Sequence, residues 1–149
     1  MTLLEKIDLD VKTALKSKNE LRVTVVRMLK SELKYKQIDL GRDLTTEDEI
    51  VVVSSAAKKR SEAIEEYGRA GRDDLVRQES AEYDILKEYL PQQLSDDELA
   101  GAVMEAVAET DASSMKDFGV VMKALMPRTR GRADGKVVSS AVKAKLSSL

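Results

Sequence analysis

At three helix starts along this chain, a hydroxyl residue is followed three places on by glutamate, and a run of apolar residues at helical spacing starts close behind. The pairs are Thr2 with Glu5, Thr46 with Glu49, and Ser95 with Glu98. In such a pair the hydroxyl accepts a hydrogen bond from the first helical turn, and the carboxylate reaches back to the N–H of the capping residue. The stripes that follow are Leu4, Ile7, Val11 and Ala14; then Ile50, Val53, Ala57, Ile64 and Tyr67; then Leu99, Val103 and Val107. Their spacing predicts helices with one buried face. Ile50–Val53 taken alone is β-branched enough for a strand, but the longer register that contains it has helical period and no turn signal.

Four more helices follow from the same kind of signals. Asn19 caps a second helix carrying Val26, Leu29 and Leu33, which Gly41 ends. Asp73 caps a fourth running through Tyr83, Leu86 and Leu90 to Pro91. Ser114 opens a sixth with Phe118, Val121, Met122 and Leu125 inward, and Pro127 stops it. The seventh starts at about Asp134 and buries Val138, Ala141, Val142 and Leu146. Only two prolines punctuate the chain. The expected fold class is all-α: a helical-hairpin N-terminal unit followed by a compact three-helix C-terminal unit. Pro91, which cannot donate to a helix and disfavours helix before it, marks the break. The expected domains are residues 1–92, with about four helices, and residues 93–149, with three.

The residues that are missing restrict the chemistry. The chain has no cysteine and no histidine. That rules out disulfides, thiolate nucleophiles, imidazole relays and imidazole metal ligands. The acidic clusters at 46–49 and 95–98 sit at helix starts, where they complement the dipole, and neither has calcium-loop spacing. No catalytic residue, metal or cofactor is expected. No stretch of 18 or more apolar residues exists for a membrane span. The acidic start "MTLLEKIDLD" does not read as a signal peptide, and a cytoplasmic location is expected.

Charge is placed unevenly. Residues 95–114 carry six acids and no base, while residues 115–149 carry eight bases and two acids, a reversal from −6 to +6. The densest basic stretch is "MPRTRGRADGK", residues 126–136. Proline, glycine and aspartate there serve a turn, but a turn does not require arginines. Guanidinium forks match phosphate oxygens bidentately. The N-terminus of the following helix adds N–H groups and the positive dipole end. The candidate nucleic-acid contacts are Arg128, Arg130, Arg132 and Lys136, with Lys123 one turn upstream. A second stripe, Arg27, Lys30 and Lys34, shares one face of the second helix and reads as a solvated side. Gly68-Arg-Ala-Gly71 has the glycine spacing of an RNA-binding KH loop but lacks the strands that loop needs. Aromatic residues are scarce, only four tyrosines and one phenylalanine. Stacking of single-stranded bases therefore has few rings to use, and a folded RNA gripped by its backbone fits better.

With these stretches in view, the sequence resembles the GatB/YqeY family. "LLEKIDLDVKTALKSKN", "LRVTVVRMLKSELKYKQI", "EYLPQQLSDDEL" and "FGVVMKALMPRTRGRADGKVVSSAVKAKL" carry the likeness across nearly the whole chain. Its most specific part is Gly131-Arg132-Ala133-Asp134-Gly135, which opens the last helix behind the basic turn. The resemblance implies a helical unit followed by a three-helix unit. It also implies similarity to the C-terminal tail of the B subunit of the glutamine-dependent tRNA amidotransferase, a carbon-nitrogen ligase with glutamine as amido donor. That tail is associated with gripping tRNA. The enzyme's catalytic body has no counterpart here. The function expected is a non-catalytic helical module that binds tRNA or another structured RNA. The alternative is a protein-interaction adaptor associated with amidotransferase subunits or another translation component.

Overall fold

The computed structural model describes residues 1–149 and consists of seven α-helices and one short 3-10 turn, with no strand. It is an all-α protein. The helices are α1 (Leu3–Lys16), α2 (Glu20–Leu40), α3 (Thr46–Arg69), α4 (Asp73–Lys87), α5 (Asp96–Glu109), α6 (Phe118–Thr129) and α7 (Gly135–Ser147). The chain forms two compact units, Met1–Leu90 and Pro91–Leu149.

In the first unit α1 packs on α2 and α3 on α4, while α2 also touches α3 and α4. Short connections turn each helix back along the one before it. The core gathers Ile7 from α1, Val25, Val26, Leu29 and Leu33 from α2, Val52, Val53, Ala56 and Ala57 from α3, and Ile85 and Leu86 from α4. Gly41 ends α2 in the left-handed region at φ +67°, and its N–H donates to the carbonyl oxygens of Gln37 and Ile38. Glycine adopts that conformation without the Cβ clash other residues meet.

Three helix boundaries in this unit differ from their sequence expectation. At α3 the capping pair lies one residue earlier. Thr45 accepts from the Asp48 N–H at 3.2 Å, and the Asp48 carboxylate accepts from the Thr45 N–H at 2.8 Å. Arg42 donates to the same carboxylate at 2.7 Å, which favours this register over Thr46 with Glu49. Glu49 instead accepts the N–H of Leu3, tying down the start of α1. Asp73 does not cap α4. Arg72 holds that position without a side-chain bond to the first-turn backbone, and Asp73 sits in the first turn where its charge meets the dipole. The same helix ends at Lys87, before Pro91 is reached. Beyond it the Tyr89 hydroxyl donates to Asp10 at 2.6 Å and draws the chain towards α1.

The second unit packs α5, α6 and α7 against one another around Leu99, Val103, Ala106, Val107, Val121, Leu125, Val138, Val142 and Leu146. Ser95 and Glu98 form the expected reciprocal cap of α5, at 3.1 Å in both directions. A 3-10 turn, Met115–Asp117, precedes α6, so Ser114 caps that turn and the α-helix begins at Phe118.

Candidate nucleic-acid interface

Pro127 does not stop α6; it lies inside the helix. A proline this close to a helix end gives up one backbone bond, and the ladder resumes beyond it with Arg130 N–H donating to Met126 at 3.0 Å. The actual stop is Gly131, at φ +75°. From there Arg132 and Ala133 both donate to the Thr129 carbonyl, at 2.8 and 3.0 Å. The chain reverses within residues 130–134, and Asp134 caps α7 by accepting the Lys136 N–H at 2.7 Å.

A strap from the start of the unit holds this turn in place. Leu94 N–H donates to the Arg132 carbonyl at 2.8 Å, and the Gln93 side-chain amide donates to the Gly131 carbonyl at 2.7 Å. In return, Arg132 Nε donates to the Gln92 carbonyl at 3.0 Å. Each of these bonds ends on a backbone carbonyl, and of the charged side chains of the turn only Arg132 takes part in them.

The five candidate cations therefore differ in their surroundings. Arg128 faces α5, where it bridges Glu105 at 3.0 Å and Glu109 in a second, very short bond. The Glu109 carboxylate, with Glu105 beside it, raises the guanidinium above its ordinary value. Arg132 is half-buried with Nε committed to the strap, which leaves its two terminal nitrogens. Lys123 on α6 and Arg130 at its C-terminal cap are both exposed and stand seven residues apart, roughly 10.5 Å along the helix axis. Between them lies Met126, whose sulfur is 3.1 Å from an Arg130 terminal nitrogen. Lys123, Arg130 and Arg132 make no ion pair within 4.0 Å. Lys136 is exposed in the first turn of α7.

Two expected features of the site change as a result. Part of the positive charge on α6 is cancelled within the unit by α5. The signal for this was present in the i, i+4 spacing of Glu105 and Glu109, which puts both carboxylates on one helical face. The mouth of α7 also carries its own carboxylate, Asp134, so an incoming anion meets side-chain cations there and not an open helix end. No three acidic side chains gather as a metal centre would require. No helix is long and apolar enough to cross a membrane.

The chain matches the family described as "Yqey-like protein" over residues 4–146. It is similar to the protein called "Altered inheritance of mitochondria protein 41, mitochondrial" in several fungi. The Pyrenophora tritici-repentis relative is 29% identical over 146 residues, covering 93% of this chain and 78% of its own length. The Lachancea thermotolerans relative is 40% identical over 87 residues, 56% of this chain and 45% of its own. In Saccharomyces cerevisiae the figures are 34% over 84 residues, 56% and 45%. The match thus spans about half the length of these two yeast relatives. These names correct the expectation of a cytoplasmic location, since the relatives are mitochondrial proteins. Freedom from cysteine and from long apolar runs suits any reducing aqueous compartment, so neither feature could single out the cytoplasm.

Proposed function

The chain belongs to the Yqey-like (GatB/YqeY) family, and from that premise we propose that it is a non-catalytic helical module that holds a folded RNA, tRNA first among them, by its phosphates. The observation that carries this reading is the pair of exposed cations Lys123, on α6, and Arg130, at its C-terminal cap, with no carboxylate within ion-pairing reach. Solvated cations on a rigid helix meet a polyanion without first breaking an internal pair, and binding releases the counterions condensed on the RNA. The terminal nitrogens of Arg132 and the ammonium of Lys136 extend the same footprint beyond the turn. Arg128 is assigned a different task, joining α6 to α5, because its fork is already filled by two carboxylates.

This reading agrees with the likeness to the amidotransferase tail and needs no reacting group. Ultraviolet crosslinking of the purified chain to a tRNA transcript, followed by peptide mapping, tests it. Crosslinked peptides from residues 118–136 are expected. Absence of RNA crosslinks, together with recovery of a protein partner that nuclease treatment leaves unchanged, would overturn the RNA reading in favour of the adaptor.

A further inference from the structure

Four of the five aromatic side chains are at least partly packed away: Tyr67, Tyr83, Tyr89 and Phe118. Tyr89 and Tyr83 lie against the first core, and Phe118 against the second. Tyr35 is the exception, 78% exposed on the C-terminal half of α2. A tyrosine ring left in water on a helix forgoes the burial that would ordinarily stabilise it, so what surrounds it matters.

Tyr35 lines an open cleft of about 350 Å³ between α2 and α3. From α2 come Glu32, Tyr35, Lys36 and Asp39, spaced i, i+3, i+4 and i+7 and so on one face. From α3 come Val51, which is 39% exposed, and Lys59 two turns further on. The rim is charged, and the apolar surface is the Tyr35 ring with Val51 and the almost fully buried Val52. A partner helix would need a longer apolar strip, with anchors repeating over several turns. A flat, polar-edged ligand with an attached anion fits the cleft's composition better. Lys36 and Lys59 make no ion pair, and neither does the adjacent Lys34.

We propose that this cleft takes a single unpaired nucleotide of a bound RNA, its base stacked on Tyr35, its phosphate met by Lys36 and Lys59, and its exocyclic amino group facing Glu32 or Asp39. Each part follows from general chemistry. Every base has a π-face for an aromatic ring. Ammonium groups take phosphate as point charges. Carboxylates accept from the amino groups of cytosine, adenine or guanine. The inference rests on the RNA-binding reading above and adds a second point of contact, in the first unit, that recognises unpaired bases.

The test uses the full chain and two probes, a tRNA transcript and a short single-stranded oligocytidylate. Wild type is compared with Tyr35→Ala, Tyr35→Phe and the double variant Lys123→Gln/Arg130→Gln. Tyr35 is exposed, and alanine is a good helix former, so Tyr35→Ala keeps the fold. Tyr35→Ala is expected to weaken oligocytidylate binding about tenfold. Tyr35→Phe should restore it, because stacking needs the ring and not the hydroxyl. The α6 double variant should weaken tRNA binding chiefly. Equal oligocytidylate affinity for wild type and Tyr35→Ala overturns the stacking site while the phosphate reading stands. No binding of either probe by wild type overturns both.

Discussion

At the residue scale, the instructive contrast is between two arginines two positions apart. Arg128 and Arg130 look alike in the sequence, and both were expected to contact phosphate. A step of two residues turns a helix by about 200°, so one side chain faces α5 and its acids while the other faces solvent. The sequence alone shows the arginines but not which helix lies beside them. The two glutamates that fill Arg128 were legible as a spaced pair, though not as its partners. Arg128→Gln is predicted to leave tRNA affinity within about twofold of wild type and to lower the melting temperature slightly, since exposed pairs contribute little. Arg130→Gln should do the reverse, losing affinity at unchanged stability. Gel shift and thermal unfolding of the two variants check this, and equal loss of affinity in both would contradict it. Glu79 supplies a pH prediction at the same scale. Burial first, then the neighbouring Glu82 carboxylate, raises its pKa above the ordinary 4.5, against the pull of Arg60. A group raised in this way supports the fold while protonated. That support is complete below about pH 4.5 and lost as pH rises through the folded-state value. Glu79→Gln should therefore be more stable than wild type at pH 7, with the gain gone at pH 4. Urea midpoints at the two values decide it, and a gain that is the same at both would contradict the assignment.

At the element scale, helix identity was readable because it depends on neighbours three and four residues away. The caps at Thr2, Asn19, Ser95 and Asp134 all appear where expected, each side chain accepting from its own first turn. The differences fall at ends decided by tertiary contacts. Arg42 chooses Thr45 over Thr46, and Tyr89 with Asp10 leads the chain out of α4 before Pro91. Pro127 gave a stop signal that a helix near its own end could ignore. Ser95→Ala removes a cap that holds both ends of the reciprocal pair and should cost about 1 kcal/mol. Denaturant unfolding measures it, and no change would mean that α5 starts without this pair. The strap from Gln92 to Leu94 onto the last turn had no sequence signal. Its acceptors are backbone carbonyls some forty residues from their donors, and backbone carbonyls are the same at every position.

At the scale of the whole chain, each unit has its own buried cluster, one centred on Leu29 and Leu33 and the other on Leu125 and Val142. We expect the units to respond separately to damage. Leu125 is fully buried, so Leu125→Ala should destabilise its unit by about 3 kcal/mol. Amide hydrogen exchange would show the loss in α5 to α7 alone, whereas loss across α1 to α4 as well would indicate a single cooperative domain. Fold class was legible because apolar period and capping pairs run the length of the chain, and the family through the resemblance of specific stretches, Gly131-Arg132-Ala133-Asp134-Gly135 above all. The surface was less so, because a −6 and a +6 segment partly neutralise each other once α5 lies beside α6. The central claim is that the exposed cations around the last turn meet RNA phosphate. The most direct measurement is the slope of log affinity against log salt for a tRNA transcript, compared between wild type and Lys123→Gln/Arg130→Gln/Lys136→Gln. Three lost phosphate contacts should flatten the slope by about 3. An unchanged slope with unchanged affinity would contradict the account.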